Sequence, residues 1–433
     1  MLSNEQMISS LKGLLEIDSV TRRVEGGKPF GIGCDQALEY VLKLCADLGM
    51  KTRNCGGMTG YAEVGEGEEL VGILGHLDVM PAGKGWDYPA FGLTRTGGKL
   101  YGRGVCDDKG PTLACIYAMK DLMDSGIAIN KRFRLIFGMT EEGGEWTDFK
   151  HYLATEERPD YGFTPDGDFP VVNGEKGIIY YDILMPVEKA GFLALEAGDA
   201  PNIVPDYCNA SVRSADGTAE LATTGRAAHG SLPQYGENAI SKLMALAAER
   251  SDIETPYLAE VYNQIFGFDI HGERVDLALQ DDVSGQLTLN VGMIRKENED
   301  FCISIDIRYP VTYSFEEVDR RFRSVVEPKG FCVRIQEVEK QAPVFMAADD
   351  PMIVALLGAY RSCTGDRKTP PVVLGGGTYA RAMKRVVAFG PNMPGTVSTE
   401  HQANENLDED VFLQLREIYL QALKNLLAAG PLK

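Results

Sequence analysis

Hydrophobic residues in the first part of the chain form short continuous runs separated by a helical pattern. The segments "LVGILGHLDV" (70–79) and "FRLIFGMT" (133–140) are apolar enough to be buried strands. Between them, residues 111–123 repeat apolar positions at helical spacing, with a proline at the start and Gly126 beyond the end. Strands without a polar face, alternating with helices, are typical of an α/β fold with a mostly parallel sheet covered by helices on both faces.

The pattern changes near residue 178 and changes back near residue 345. Residues 286–294 and 301–309 alternate between apolar and polar side chains, and the polar stretch "KENED" lies between them. This alternation predicts two antiparallel strands with one face in the core and one in water. We expect the core face to carry Leu287, Leu289, Val291, Met293, Phe301, Ile303, Ile305 and Ile307.

These patterns divide the chain into three segments. Residues 1–177 and 346–433 have the apolar strands and long helices of the α/β part, and its second half ends in an amphipathic helix over 408–427. Residues 178–345 are expected to form a separate α+β domain with antiparallel strands, inserted into the first domain. A chain of 433 residues is long enough for two or three domains.

Composition and charge limit the cellular compartments and the classes of binding partner that we expect. The formal net charge of −20 at pH 7 argues against nucleic acids and anionic membranes as partners. No apolar run approaches the roughly 20 residues of a membrane span, and residues 1–18 lack the basic start and apolar stretch of a signal peptide. Nine cysteines without paired spacing suit a reducing compartment. We therefore expect a cytoplasmic protein that binds neither nucleic acid nor membrane.

Side chains that bind metals recur where the apolar segments end. In a parallel α/β sheet, ligands bind beyond the carboxyl ends of the strands. Each motif alone has an ordinary explanation, since acidic pairs beside glycine often form turns and a buried histidine often pairs with a carboxylate. Together they offer imidazole and carboxylate ligands without thiolates, a set typical of catalytic zinc, or of manganese or cobalt. The residues are His76 and Asp78 in "GHLD", Asp107 and Asp108 in "GVCDDKG", Glu141 and Glu142 in "GMTEEGG", Asp166 and Asp168 in "TPDGD", and His401 in "STEHQANE".

The motifs, taken in order, resemble those of the di-metal aminoacylase/carboxypeptidase superfamily, and most closely its dipeptidase branch of PepV-like and carnosinase-related enzymes. The resemblance runs from about residue 70 to residue 410. It implies a parallel-sheet catalytic domain, here 1–177 and 346–433, interrupted by a substrate-binding lid domain, here 178–345. The motifs are "GHLDVMPAG", "GRGVCDDKGP", "TEEGGEW", "TPDGDFPVVNGEKG", "GRAAHGSLPQYGENA", "DIRYP", "GGGTYAR" and "EHQANE".

The resemblance implies a centre of two divalent metal ions. His76 and Asp166 would bind one ion. Glu142 and His401 would bind the other, and Asp107 would bridge the two. Zinc is the expected metal, with manganese and cobalt as alternatives.

Two neighbouring carboxylates would assist this centre without binding metal. The resemblance implies that Asp78 accepts a hydrogen bond from the ring of His76 and fixes its tautomer. A shared strand face would account for this pairing, because residues i and i+2 of a strand point the same way. Glu141 would be the general base that takes a proton from water bridging the two ions. Two consecutive glutamates can both face the site only at a bend, which the glycines after them permit.

In the lid segment the resemblance implies contacts with the substrate. His229 in "GRAAHGS" would stabilise the tetrahedral oxyanion, and a histidine on a surface loop is the ordinary alternative. Asn202 in "APNIVP" and Arg308 in "DIRYP" would contact the substrate carbonyl and the C-terminal carboxylate, which arginine can bind with two parallel hydrogen bonds. Outside the lid segment, the residues that would line the substrate cleft are Gly376, Thr378 and Arg381 in "GGGTYAR".

Two positions depart from the family pattern. Thr140 stands where the family usually has an aspartate, so we expect the hydrogen bonding around Glu141 to differ. Cys106 stands directly before Asp107 at a position that is usually not a thiol, and we interpret it as a small buried residue rather than a redox sensor. The remaining histidines, His151 and His271, match no ligand position and are interpreted as structural or surface residues.

The sequence thus predicts a metallopeptidase that hydrolyses dipeptides with free amino and carboxyl ends. A related deacylase or carboxypeptidase is the alternative, and the requirement for a free ammonium group distinguishes the two. A non-catalytic binding protein on the same fold is a third possibility, against which the complete set of proposed ligands argues. Because the inserted domain is long enough to carry the whole lid, we expect a monomer.

Overall fold

The computed structural model describes residues 2–22, 24, 26–144, 146–336, 340–430 and 432. The chain folds into two compact units. Unit 1 comprises Met1–Asn173, Met346–Val372 and Gly377–Lys433, and unit 2 comprises Gly174–Phe345 and Val373–Gly376. The chain therefore enters unit 2 twice. The sequence pattern predicted one insertion at 178–345, and it contained no sign of the short second entry.

Unit 1 combines helices with the central strands of a large sheet and with a small three-stranded sheet. The strands of the large sheet are β1 (Lys51–Cys55), β2 (Thr59–Val64), β3 (Leu70–His76), β6 (Arg132–Gly138), β7 (Tyr161–Thr164), β8 (Val172–Glu175), β18 (Val344–Phe345), β19 (Val372–Leu374) and β20 (Val386–Ala388), and those of the small sheet are β4 (Thr94–Thr96), β5 (Lys99–Tyr101) and β21 (Asn406–Asp408). The helices are α1 (Asn4–Leu15), α2 (Ile32–Asp47), α3 (Lys109–Asp124), α4 (Thr147–Thr155), α9 (Pro351–Thr364) and α10 (Glu409–Ala428).

The centre of the large sheet is parallel. Its strand order is β1-β2-β6-β3-β7-β20-β8-β18, with β19 paired to β8. Strands β6, β3, β7 and β20 run parallel to one another, and antiparallel strands flank them on both sides. Every residue of β3 is buried, as its continuous apolar run predicted. The predicted α/β class is confirmed.

Helices cover both faces of this sheet. Ile73 and Leu135 pack in the main core, together with buried residues of α1, α2, α3, α9 and α10. The next residues along the same strands, Leu74 and Ile136, pack in a separate core with Phe149 of α4. Because successive strand residues point to opposite faces, the two cores lie on opposite sides of the sheet.

A buried lysine fixes the start of α3. Lys109 is the first residue of this helix, and its Nζ donates hydrogen bonds to the carbonyl oxygens of Leu14 (3.1 Å) and Ile17 (2.8 Å). These carbonyls belong to the last turn of α1 and the residues after it, where backbone acceptors have no partner inside the helix. The contact ties the loop that carries Asp107 to the end of α1.

Unit 2 is built on a seven-stranded antiparallel sheet with helices packed on one face. Its strands are β9 (Gly177–Pro186), β10 (Phe192–Ala197), β11 (Tyr207–Ser214), β12 (Gly217–Thr224), β15 (Thr288–Glu297), β16 (Asp300–Tyr309) and β17 (Cys332–Ile335), and a separate hairpin contains β13 (Gln280–Asp281) and β14 (Gly285–Gln286). The strand order is β12-β11-β10-β15-β16-β9-β17. The helices are α5 (Val187–Ala190), α6 (Ala239–Glu249), α7 (Tyr257–Ile265) and α8 (Phe315–Val326).

The second face of β16 is not solvated, so that part of the sequence prediction was wrong. Ser304, Asp306 and Arg308 are 0%, 0% and 3% exposed. Their polar groups find partners inside unit 2: the Ser304 hydroxyl donates to Asp182, and Arg308 donates to both carboxylate oxygens of Asp306. The alternation of apolar and polar residues along β16 therefore reflects a strand with an apolar core on one face and a buried polar network on the other.

A bulge in β15 also changes which residues face the core. Val291 pairs with Ile305 and Met293 pairs with Ser304, so one extra residue, Gly292, lies between them. An extra residue shifts the following side chains to the other face, and Ile294 rather than Met293 joins the apolar core. The expectation that Met293 faces the core was therefore wrong.

Candidate active site

Two histidines and three carboxylates of unit 1 meet at one point. The Nε2 atom of His76 lies 2.9 Å from Oδ1 of Asp107 and 3.8 Å from Oδ2 of Asp166. The Nε2 atom of His401 lies 2.9 Å from the other oxygen of Asp107 and 3.0 Å from Oε2 of Glu142. Asp107 therefore presents one oxygen to each histidine.

Among the residues that the structure describes, these side chains form two groups with the spacing of metal ligands. His76, Asp107 and Asp166 form one group, and Asp107, Glu142 and His401 form the other. Within each group the potential ligand atoms lie within 4.8 Å of one another. Nitrogen and oxygen donors without thiolates, and one carboxylate common to both groups, fit a pair of divalent cations.

The charge balance of this cluster also fits cations. Burial raises the pKa of Asp166 and of Glu141 well above the usual range, and neighbouring carboxylates raise both further. Burial opposes the charged form of His401, but hydrogen bonds with Asp107 and Glu142 raise its pKa to about 11. Without metal, protons must therefore offset the negative charge that so many adjacent carboxylates create.

The two histidines differ in their access to water. His76 ends the buried strand β3, and its side chain is 0% exposed. The side chain of His401 is 52% exposed and lies in the loop before β21. The group built on His401 is therefore the more accessible of the two.

Asp78 lies in the loop after β3 and not in the strand, which corrects the expectation of a shared strand face. Strand β3 ends at His76, and Asp78 lies beyond it. The Nδ1 atom of His76 is 3.0 Å from the carbonyl oxygen of Asp78 and 3.4 Å from its Oδ1. The Asp78 carboxylate also accepts hydrogen bonds from the backbone N–H groups of Glu141 (3.3 Å) and Glu142 (3.1 Å). One aspartate thus orients the histidine and holds the glutamate pair.

Asp107 does not follow an apolar strand, contrary to the sequence expectation. It lies in the loop between β5 of the small sheet and the start of α3. The next residue, Asp108, belongs to neither group of potential metal ligands. Its Oδ2 accepts from the backbone N–H of His76 (3.1 Å) and from the hydroxyl of Thr112 (2.8 Å). Asp108 therefore joins the loop to the end of β3.

Thr140, the residue before the glutamate pair, hydrogen-bonds with a carboxylate from another element. Asp148, in the first turn of α4, accepts hydrogen bonds from the backbone N–H (3.1 Å) and the hydroxyl (2.7 Å) of Thr140. It also accepts from the hydroxyl of Tyr379 at 2.6 Å. No motif marked Asp148, because the contact depends on how α4 returns to the end of β6. Thr140 is therefore compatible with an ordered Glu141.

Cys106 is a buried thiol beside the bridging carboxylate. Its Sγ lies 3.4 Å from Oδ1 of Asn392, and burial raises its pKa well above the usual range. A thiol that stays protonated is a poor nucleophile. This agrees with the interpretation of Cys106 as a small buried residue.

In unit 2, His229 and Asn202 are neighbours. The backbone N–H of Gly230 donates to the carbonyl oxygen of Asn202 at 2.7 Å, and His229 forms a β-bridge with Ile203. The Nδ1 atom of His229 accepts from the backbone N–H of Ser231 at 3.1 Å and lies 2.7 Å from the Ser231 hydroxyl. A neutral imidazole that accepts at Nδ1 carries its proton on Nε2. This turn therefore makes Nε2 of His229 a hydrogen-bond donor.

Arg308 is held by a buried network. Its guanidinium donates to both oxygens of Asp306 (2.7 and 2.9 Å), to the hydroxyl of Tyr180 (2.9 Å) and to the carbonyl oxygen of Gly375 (3.0 Å). A Cβ atom on Gly375 would lie 2.9 Å from Cβ of Ser231, so the His229 turn also packs against this glycine. Arg308, the His229 turn and Gly375 are thus packed together within unit 2.

The glycine-rich segment is divided between the units. Gly376 belongs to unit 2, whereas Thr378 and Arg381 belong to unit 1. The hydroxyl of Thr378 accepts from the backbone N–H of Ala380 and caps a short 3₁₀ turn over Tyr379–Arg381. His151 lies on α4, and His271 contacts the carbonyl oxygen of Leu287 at 2.9 Å, so neither joins the cluster around Asp107.

The family of the chain follows from its sequence match. Residues 72–425 match the family described as Peptidase family M20/M25/M40, which covers most of the chain. The chain belongs to this family. The protein named "Putative dipeptidase YtjP" from Bacillus subtilis is 35% identical over 457 residues, covering 98% of this chain and 97% of the relative. This M20 protein is therefore a peptidase.

Solved structures share the fold of this M20 peptidase at low sequence identity. Human carnosine dipeptidase 1 aligns with a TM-score of 0.64 and 16% identity over 98% of this chain and 97% of that chain. The Bacillus subtilis YXEP protein, described as a dinuclear metal-binding peptidase from the M20 family, aligns with a TM-score of 0.56 and 11% identity over 98% of both chains. Within its described residues, the M20 peptidase has no helix long and apolar enough to cross a membrane.

Proposed function

We propose that this M20 peptidase is a metal-dependent dipeptidase that hydrolyses short peptides with free amino and carboxyl ends. The single observation that carries the proposal is Asp107, whose two oxygens face two separate groups of nitrogen and oxygen donors. The name of the Bacillus subtilis relative supports the choice of dipeptides over other amide substrates.

The proposed metal ligands come from four loops and one strand end. His76 and Asp166 would hold one divalent ion, Glu142 and His401 would hold the second, and Asp107 would bind both. Bound ions would supply Lewis acidity, which acidifies water and polarises the scissile carbonyl. Zinc suits this donor set, and so do manganese and cobalt.

Glu141 is the proposed general base. Its backbone N–H is held by Asp78, next to the proposed ligand Glu142. A carboxylate beside the ligands can take the proton from the attacking water and later give it to the leaving amine. Asp78 would support both steps, because it orients the ring of His76 and the backbone of the glutamate pair.

Unit 2 would contribute the substrate contacts. His229, with its proton on Nε2, is the proposed donor to the oxyanion, and its neighbour Asn202 would donate to the substrate carbonyl. Arg308 is the proposed partner of the C-terminal carboxylate. Because its Nε and Nη2 donate to Asp306, the substrate would meet the Nη1 side, which already donates to Gly375. Further substrate contacts are proposed for Gly376, Thr378 and Arg381.

The proposal also covers the cellular compartment and the oligomeric state of the protein. All nine cysteines, each among the described residues, are free thiols, which suits a reducing cytoplasm. We also propose that the protein acts as a monomer on small peptides. Light scattering after gel filtration would report the mass of one chain, and the mass of two chains would contradict this.

The decisive experiment compares free and N-acetylated dipeptides. Metal-free enzyme would be reconstituted separately with zinc, manganese and cobalt, and initial rates measured for each pair of substrates. A dipeptidase cleaves the free peptide and needs both ends unblocked. Faster cleavage of the acetylated peptide would favour a deacylase, and rapid cleavage of tetrapeptides or C-terminal amides would contradict recognition of both ends. Absence of hydrolysis with every metal would leave the binding-protein alternative.

A further inference from the structure

A fully buried glutamate outside the proposed ligand set holds the loop that ends in Asp107. Oε1 of Glu405 accepts hydrogen bonds from the backbone N–H groups of Cys106 (2.9 Å) and Asp107 (3.3 Å). Both of its oxygens lie 3.1 Å from the backbone nitrogen of Gly104. Glu405 is 0% exposed and, among the described residues, belongs to neither group of potential metal ligands. One carboxylate therefore occupies a cradle of closely spaced N–H groups, a geometry that binds anions.

Arg103 compensates the charge of this carboxylate. Its Nη1 donates to Oε2 of Glu405 at 2.8 Å, and the two side chains are 2% and 0% exposed. Its Nη2 donates to the carbonyl oxygen of Pro81 at 3.2 Å. A buried carboxylate is tolerated only when it is paired and fully hydrogen-bonded. Burial and the neighbouring Asp107 raise the pKa of Glu405 to about 7, and the hydrogen bond from Cys106 and the charge of Arg103 offset part of this rise.

Glu405 also joins the two loops that carry the shared carboxylate and the exposed histidine. It lies four residues after His401 in the same loop. Its backbone carbonyl accepts from the N–H of Gly102 at 3.1 Å, at the other end of the loop that leads to Asp107. Strand β21, which begins at the next residue, pairs with β5, which precedes that loop. The side chain and the main chain of Glu405 therefore fix one loop against the other.

We propose that Glu405 is a positioning residue that sets the orientation of Asp107 and thereby the affinity for the two divalent ions. This inference rests on the proposed di-metal centre. The N–H groups that Glu405 holds determine the peptide planes on both sides of Cys106, and the side-chain direction of Asp107 follows from its backbone. Hydrogen-bonded partners behind metal ligands typically change metal affinity by about 10- to 100-fold when they are removed.

The test compares two buried carboxylate–arginine pairs of unit 1. Glu405→Gln keeps the shape of the side chain but turns an NH₂ group toward N–H donors and removes the charge. Asp121→Asn is the matched control, because Asp121 pairs with Arg416 through two hydrogen bonds of 2.6 and 2.7 Å and is 6% exposed. Asp121 lies in the last turn of α3, at the opposite end of this helix from Asp107.

Metal-free protein would be titrated with cobalt chloride and followed by calorimetry and visible absorption. We expect Glu405→Gln to bind at least one Co²⁺ about 10- to 100-fold more weakly than the wild type, with an altered absorption band. Asp121→Asn should lose thermal stability and keep both affinities and the wild-type spectrum. Wild-type cobalt affinities and spectrum in Glu405→Gln would overturn the proposal.

A second variant covers the case in which Glu405→Gln does not fold. Glu405→Asp keeps the negative charge for Arg103 but withdraws the carboxylate from the N–H groups by one methylene. It should fold and show the same weakened binding, and unchanged cobalt affinities in this variant would equally overturn the proposal. A wild type that binds two Co²⁺ ions but cleaves no dipeptide would refute the proposed substrate and leave the role of Glu405 intact. If the wild-type protein binds no pair of ions, both the proposed metal-dependent function and the proposed role of Glu405 are refuted.

Discussion

Glu141 and Glu142 are consecutive residues with different proposed roles, the first as general base and the second as metal ligand. The carboxylate of Glu142 lies 3.0 Å from His401, and its Oε1 accepts from the backbone N–H of Met80 at 3.1 Å. Their own backbone N–H groups both point at one carboxylate, that of Asp78. A single carboxylate therefore holds both peptide units at this bend.

Replacement of Glu141 separates its role from metal binding. Glu141→Gln keeps a hydrogen-bonding side chain but cannot accept a proton, so kcat should fall by about 10²- to 10⁴-fold, the range of general-base contributions. The metal content, measured by mass spectrometry on the same preparation, should stay at the wild-type value. A kcat within about tenfold of the wild type, with both metals retained, would show that Glu141 is not the base.

The unequal exposure of the two histidines predicts unequal metal exchange. His76 is fully buried, whereas the side chain of His401 is 52% exposed. A chelator should therefore remove the ion held by Glu142 and His401 first, and the absorption of the dicobalt enzyme should decay in two phases. Removal of His401 by substitution to alanine should abolish the fast phase and keep the slow one. A single phase in the wild type would contradict this assignment.

At the scale of elements, the sequence predicted the helices and strands well. It predicted poorly what the faces of these elements pack against. The continuous apolar strand β3 is confirmed. Polar residues cap the helices as local sequence favours, with Ser3 and Gln6 forming a capping box on α1 and Asp350 capping α9. Alternation also found β15 and β16, yet it assigned the polar face of β16 to water. That face is covered by the turn around Gly230 and by Gly375, and contacts between segments so distant in the chain leave no periodic pattern.

The buried pair on β16 predicts a large effect on stability. Asp306→Asn would leave the guanidinium of Arg308 buried without its carboxylate, which typically costs about 3 to 5 kcal/mol of the free energy of unfolding. Urea denaturation followed by circular dichroism measures this loss. Asp252→Asn is the control in the same unit, because its pair with Arg250 lies at the surface, and it should change stability little. Equal effects of the two substitutions would mean that Asp306 does not compensate Arg308.

At the scale of the whole molecule, the proposed centre joins segments far apart in the chain. His76, Glu142 and Asp166 follow three neighbouring parallel strands, which the rule for strand ends in α/β sheets could predict from the sequence. Asp107 and His401 come from loops outside that sheet. The sequence pattern marked both as metal-type side chains, but it placed Asp107 at the end of an apolar strand. The roles of Asp148 and Glu405 could not be predicted, because they depend on backbone N–H groups, which carry no sequence signature, and on side chains distant in the chain, such as Tyr379 for Asp148 and Arg103 for Glu405.

Metal binding should therefore stabilise unit 1 as a whole. An ion that binds only the folded chain at a free concentration 100 times its Kd adds about 2.7 kcal/mol to the free energy of unfolding. Removal of the ions with a chelator should lower the Tm, and added zinc, manganese or cobalt should restore it. Asp107→Ala should have a low Tm that no longer responds to metal, whereas Asp124→Ala, at the exposed end of α3, should respond like the wild type. A wild-type Tm that is independent of metal would contradict a centre built from these residues.

The short second entry into unit 2 has a consequence for engineering. A chimera that took 174–345 from a relative would keep its host's Val373–Gly376. The donor's counterparts of Arg308 and Ser231 would then meet a foreign partner at Gly375, which here accepts from Arg308 at 3.0 Å and has no room for a Cβ beside Ser231. A graft that also transfers 373–376 carries these contacts intact. A complete exchange of unit 2 therefore requires four junctions in the chain, two around 174–345 and two around 373–376.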